Sequence, residues 1–146
     1  LTTVMDLGDR QILGWSLAKG MGAEATTVAA FRQAVATRRP GRNLIFHSDR
    51  GSQYACAEFT RQLAGHRITQ SMSRKGNCWD NAPAESFFKT LKYELDMSDC
   101  YQNYRHARAA IFEFIEIWYN RKRLHSALGY LTPVQAEQQL TRNQAA

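Results

Sequence analysis

A chain of 146 residues with 44% apolar side chains can fill one compact domain, and two domains would stretch it. Lys and Arg outnumber Asp and Glu by 19 to 13, and the resulting charge of +6 points to a polyanionic partner such as nucleic acid. Cys56, Cys78 and Cys100 are widely spaced with no C-x-x-C pair, which argues against a disulfide framework or a zinc site; no apolar run approaches the roughly 18 residues of a membrane span, so a soluble, intracellular product is expected.

In chain order, "LTTVMDL" and "RQILGWSL" read as two short strands joined through Gly8-Asp9, an antiparallel hairpin. Residues 24–37 change period: Val28, Phe31 and Val35 recur at helical spacing among alanines, and Pro40 closes the segment. "NLIF" is short and continuously apolar, as a strand covered on both faces would be. Ser52 is a candidate N-cap for one helix carrying Tyr54, Phe59 and Leu63 and ending near Gly65. "RITQSMS" reads as a further strand. A helix from about Asn81 to Leu95 comes next, then a longer one from about Tyr104 to Arg121 with Ile111, Phe114, Ile115 and Trp118 as its core stripe. The final "TRNQAA" reads as a frayed tail, residues 141–146. The order β-β-α-β-α-β-α-α predicts an α/β fold, a mixed sheet with helices on its faces.

Function is sought where such sheets place it, outside the carboxyl ends of strands. Asp49 in "HSDRGSQY" stands there, directly behind "NLIF", and Gly51 lets the backbone turn into the next helix. Alone, an aspartate at a strand end reads as a turn former, so a second carboxylate is needed. Glu85 supplies one. Pro83 sits in the first turn of its helix, Phe87, Phe88, Leu91 and Leu95 share one face, and Glu85, Lys89 and Lys92 recur at i, i+4, i+7 on another. That stripe is either a solvated ion-pair row or a metal-facing carboxylate with two cations along a phosphate backbone.

Thirty-five residues separate Asp49 from Glu85. "HSDRGSQY", that interval, and "SRKGNCWDNAPAESFFKTLKYE" together resemble the second and third acidic members of the DDE signature of insertion-sequence transposases and retroviral integrases. "WYNRKRLHSALGYLTPVQAE", residues 118–137, resembles the C-terminal signature of the OrfB-type transposases of two-frame insertion sequences, and "LTTVMDLGDRQILGWSL" fits the same group. The likeness runs over residues 1–140.

The resemblance implies an RNase H-like catalytic core that holds two Mg²⁺ or Mn²⁺ ions through carboxylates, with Asp49 and Glu85 as catalytic metal ligands. Hard divalent ions prefer oxygen donors, and a pair of them suits in-line phosphoryl displacement. It implies DNA as partner, both element ends and target, a homo-oligomer in the DNA complex, an upstream-frame partner protein, and a bacterial cytoplasmic setting. In that family the first catalytic aspartate lies on a strand preceding the one that resembles "LTTVMDL". The expectation is therefore a core without its first strand and one metal ligand, poorly active in isolation, with Asp6 matching a different position. Arg74, Lys75, Lys89, Lys92, Arg121, Lys122 and Arg123 are the candidate DNA contacts. Asp80 reads as a helix cap or auxiliary ligand, Trp79 as a loop anchor or base-stacking ring. His47 reads as a packing or hydrogen-bonding residue, and Tyr119, Asn120 and His125 as residues that fix the C-terminal segment. A metal nuclease on the same fold and a noncatalytic DNA-binding fragment remain the alternatives.

Overall fold

The computed structural model describes residues 1–73, 81–95, 101 and 103–145. Its elements are strands β1 (Thr2–Met5), β2 (Ile12–Ser16), β3 (Ile45–Ser48) and β4 (Thr69–Met72), and helices α1 (Ala29–Thr37), α2 (Ser52–Ala55), α3 (Ala57–Gly65), α4 (Ala82–Glu94), α5 (Tyr104–Phe112) and α6 (Pro133–Ala145). Two π-helical segments, Glu24–Val28 and Glu113–Tyr119, lead into α1 and out of α5. The chain divides into two compact units: Leu1–Val4 with Leu13–Ala84, and Met5–Ile12 with Glu85–Ala146. No helix among the described residues is long and apolar enough to cross a membrane.

In the first unit the strands form two separate two-stranded sheets among the described residues, β1 with β2 and β3 with β4. The short connection over residues 6–11 leaves β1 and β2 only an antiparallel pairing. β3 and β4 run parallel, with Phe46 opposite Gln70 and Ser48 opposite Met72. The core gathers Val28, Phe31, Phe59, Leu63 and Ile68, with Phe46 and Tyr54 packed on it. Its aromatic rings meet edge to face, Phe46 on Phe59 at 5.1 Å and Phe31 on Phe59 at 5.7 Å, the arrangement ring quadrupoles favour. β2 crosses α1 so closely that Gly14 is required: an added Cβ would lie 2.2 Å from the Ala30 carbonyl oxygen and 2.5 Å from the Ala34 nitrogen.

Three expectations are corrected in this unit. The strand at "NLIF" starts later, at Ile45, because Asn43 adopts a left-handed conformation (φ 63°) that no extended strand can contain. It is not covered on both faces, since Leu44 is 43% and Ile45 62% exposed; β3 has β4 on one edge and no described strand on the other. The helix expected from Ser52 to Gly65 breaks at Cys56 (ψ 150°), and Ser52 is its first residue rather than its cap, which falls on Gly51.

The second unit is built on α4 and the α5 segment. Phe87 and Leu91 are buried on α4, and Phe87 packs its ring on Tyr119 at 4.9 Å and on Phe114 at 6.0 Å. The expected stripe through Ile111, Phe114 and Ile115 is present, but Tyr119 and Asn120 are buried at its end while Trp118 is only half-buried. The π-helical turn explains the shift: the Asn120 N–H reaches back five residues to the Ile115 carbonyl, and one extra residue per turn rotates the positions beyond it. α6 was not foreseen, and it carries the chain as helix through Ala145, where a tail was expected. Its start is a capping box: Gln135 N–H donates to Thr132 Oγ1, Thr132 N–H donates to Gln135 Oε1, and buried Pro133 takes the first helical position.

Asn120 joins the hairpin turn to this C-terminal segment. Its Oδ1 accepts the Ile12 N–H at 2.9 Å and its Nδ2 donates to the Ile12 carbonyl at 3.0 Å, both buried. The side-chain amide thus pairs with β2 as another strand would. Its own carbonyl accepts the Val134 N–H at the start of α6. Asn120→Ala would leave both Ile12 backbone groups buried and unpaired, each worth about 1–3 kcal/mol. Urea unfolding should show a loss of about 2–4 kcal/mol; a loss under about 0.5 kcal/mol would mean the amide does not hold Ile12.

Candidate functional site

Asp49 comes directly after the last residue of β3, so the parallel β3–β4 pair delivers it to the carboxyl ends of both strands. The strand ends are tied there by side chains. Ser73 N–H donates to the Ser48 carbonyl at 2.9 Å, Arg50 Nε donates to the Ser73 carbonyl at 2.9 Å, and His47 spans Ser71 and Ser73 through its two ring nitrogens at 3.0 and 3.1 Å. Ser73 Oγ also donates to the Ser48 carbonyl, so it accepts from His47 Nε2–H, and Nδ1 then accepts from Ser71. His47 is therefore a hydrogen-bonding residue of the strand ends, in keeping with its reading from sequence.

The Asp49 carboxylate is exposed, and its Oδ1 accepts the Gly51 N–H at 2.8 Å. The turn-former role is thus real, and it uses one oxygen; the other has no hydrogen-bond partner among the described residues. Gly51 matters for the same reason, because a Cβ there would come within 2.9 Å of Asp49 Oδ1. Tyr54, packed beneath, has its hydroxyl pushed up, first by burial and then by the negative charge of Asp49.

Glu85 lies in the first turn of α4, exposed, with Lys89 and Lys92 exposed further along the same helix and Phe87 and Leu91 buried on the other side. Asp49 and Glu85 belong to different units, and the geometry of each is given within its own. No group of three or more His, Cys, Asp or Glu side chains is placed to hold a metal ion among the described residues. Asp6, at the end of β1, accepts the Gly8 N–H at 2.8 Å. Arg74, Lys75, Trp79 and Asp80 fall outside the described residues.

The basic run does not act as one surface. Arg121 and Lys122 are exposed, and Arg121 Nε donates to the Glu116 carbonyl at 3.1 Å. Arg123 is half-buried over the Tyr119 ring, 5.4 Å to its centroid, with Nη1 2.8 Å from Nδ1 and 2.9 Å from Nε2 of His125. Tyr119 and His125 meet edge to face at 5.1 Å, and His125 is buried. Tyr119, Asn120 and His125 do fix the C-terminal segment. Sequence reasoning missed Arg10, whose positive charge also reaches Tyr119 and His125 from the hairpin turn. A left-handed backbone at Arg10 (φ 63°) accompanies that placement, and no pattern in the sequence announces it.

Burial first, then the charges of Arg123 and Arg10, push the His125 pKa down to about 4. His125 is therefore neutral in the native state at physiological pH, free to accept from Arg123. The unfolded chain protonates near 6.5, so between about 6.5 and about 4 it binds more protons than the native state. Unfolding free energy should fall across that window as pH drops, by up to about 3 kcal/mol, and no further below it. Comparing denaturation of the parent and His125→Gln at several pH values checks this: the variant should show a shallower decline there, and an equal decline would refute it.

Comparison with known proteins places these features. The family model described as "Integrase core domain" matches residues 1–78, and a second model of that description matches residues 66–133. The chain is 42% identical over 137 residues to the transposase InsF for insertion sequence IS3A of Escherichia coli, covering 94% of this chain and 47% of that protein. It is 41% identical over 133 residues to the transposase for insertion sequence element IS904 of Lactococcus lactis, covering 91% and 52%. The chain thus spans about half the length of these relatives. The solved HTLV-2 integrase catalytic core domain, in complex with magnesium, superposes with a TM-score of 0.60 over 90% of this chain and 80% of that one, at 19% identity. That likeness concerns the fold, an RNase H-like α/β core as the element order predicts.

Proposed function

Because the chain belongs to the integrase core domain family, we propose that it is the catalytic core of an insertion-sequence DDE transposase, which cuts DNA at the ends of its element and joins the freed 3′-hydroxyls to target DNA. One observation carries the reading to a chemistry: Asp49 stands at the carboxyl end of a parallel strand pair with one oxygen pinned by Gly51 and the other left available. Exposed carboxylates with no competing cation are the donor set that hard divalent ions take, so Asp49 and Glu85 fit Mg²⁺ or Mn²⁺. A divalent ion bound there supplies positive charge to the attacked phosphodiester and lowers the pKa of a bound water.

Asp49 and Glu85 contribute the anionic oxygens, and the turn at Gly51 with the His47 network holds Asp49 in place. Lys89 and Lys92 lie one and two turns along α4 from Glu85, suited to successive backbone phosphates, and Arg121 and Lys122 extend that charge. Arg74 and Lys75 join this set on their place in the sequence. The phosphorus–O3′ bond breaks to release a 3′-hydroxyl, which then attacks a second phosphodiester, so DNA itself is the second nucleophile. Two ions per complete site, a homo-oligomer that holds both element ends, an upstream-frame partner and work on nucleoid DNA in the bacterial cytoplasm all belong to the same proposal.

A first strand bearing the third carboxylate also belongs to it. The half-bare β3, with Leu44 and Ile45 exposed and one described neighbour, supports a further strand in the complete protein. The test is a Mg²⁺-dependent joining assay on the 146-residue chain and on one extended upstream by about a dozen residues, enough for a strand and turn. The extended chain should join and the shorter should be nearly inert. Asp49→Asn or Glu85→Gln in the extended chain should cost more than the roughly 10- to 100-fold typical of losing an outer-shell partner. Hydrolysis without joining would favour a nuclease on the same fold, and equal activity of both chains would move the third ligand to Asp6.

A further inference from the structure

Arg10 and Arg123 come from opposite ends of the chain, yet both charges reach the same buried pair, Tyr119 and His125. Arg123 is held rather than free: its guanidinium lies over the Tyr119 ring and against both nitrogens of His125. A planar group held this way has lost most of its side-chain freedom before any ligand arrives. Arg10 is presented by a turn whose backbone is fixed on both sides, Asp9 Oδ1 accepting the Gln11 N–H at 2.9 Å and the Asp6 N–H donating to the Gln11 carbonyl at 2.9 Å. Asp9 is itself buried, and Arg10 carries the left-handed backbone of the turn, a conformation that costs a non-glycine residue about 1 kcal/mol or more.

Two cations held around an uncharged imidazole repel each other, and no described carboxylate pairs with either. An anion placed between them removes that repulsion and meets donors already aimed. Both arginines keep part of their surface in solvent, so the donors not used on His125 are accessible. Arg121 and Lys122, exposed two and one residues before Arg123, continue the positive charge beyond the pair. A single small anion would not use that extension, whereas a strand of DNA would.

We propose that Arg10 and Arg123, braced by Tyr119 and His125, form a phosphate-backbone clamp for DNA, in which Arg10 is a binding residue. The clamp rests on the transposase reading for its ligand and lies within the second unit, apart from Asp49. It reads no sequence, because guanidinium contacts to phosphate oxygens carry none.

The test is duplex binding in EDTA, measured by fluorescence anisotropy between 50 and 200 mM KCl, so that it is independent of joining. Each phosphate neutralised contributes about 0.9 to the slope of log K against log salt. Arg10→Gln should reduce that slope by about 0.9 and weaken binding roughly tenfold, equally for unrelated duplexes. Arg10→Lys should recover the slope with part of the affinity, since it restores a point charge without the fork. Arg123→Gln should act alike, with its melting temperature recorded to separate loss of folding from loss of contact. An Arg10→Gln chain that binds with the parent slope and affinity overturns the clamp while leaving the transposase reading intact. A parent chain that binds no duplex at any salt overturns both. Displacement of DNA by low millimolar inorganic phosphate at matched ionic strength would show a free-anion pocket and also overturn the clamp.

Discussion

The pairing of the Asn120 side chain with Ile12 is the constraint on which the C-terminal half is assembled. An amide is the only side-chain group that can give and take one hydrogen bond in the geometry of a peptide, and here it does both toward one residue. The two partners are 108 positions apart, so the contact closes a long loop whose entropy must be offset by packing around it. Phe87, Phe114 and Tyr119 provide that packing, and the Asn120 carbonyl passes the constraint on to the start of α6. A buried amide with unmatched partners would cost more than an apolar residue of the same size; fully matched, it specifies one arrangement.

Charge is distributed with equal economy. The carboxylates read as catalytic are exposed and carry a turn or a first helical position, so nothing in their immediate surroundings neutralises them. The arginines nearest the chain's two ends instead gather around aromatic rings, where the quadrupole of Tyr119 offsets part of the cost of Arg123. His125 accommodates the pair by staying uncharged. Anionic and cationic functions thus rest on different kinds of support, hydrogen-bonded turns for the first and ring faces for the second.

The strand that ends before Asp49 and the helix that opens before Glu85 were legible because local chemistry dictates them: an apolar run, a glycine turn, a proline in a first turn. The buried positions Phe31, Phe59, Leu63, Phe87 and Ile115 could be read from periodicity for the same reason. Where a single residue departs from the regular period, the reading failed. Asn43 delayed β3, Cys56 split a helix in two, and the turn over Glu113–Tyr119 buried Tyr119 where Trp118 was expected. α6 could have been found, since Thr132, Pro133 and Gln135 form a recognisable start signal. Arg10 could not, because its partners are fixed by tertiary structure more than a hundred positions away.

The π-helical turn before Asn120 makes the spacing of this segment a matter of whole residues. Removing one residue from Glu113–Tyr119 would let the helix relax to the ordinary α period, and every position after it would rotate by about 100°. Asn120 would then point away from Ile12 although its identity and neighbours were unchanged. Conversely, an insertion is the simplest origin for such a turn, so the amide clamp and the extra residue must be inherited together. In evolutionary terms this stretch tolerates substitution more readily than any change of length, and its helix is counted rather than merely composed.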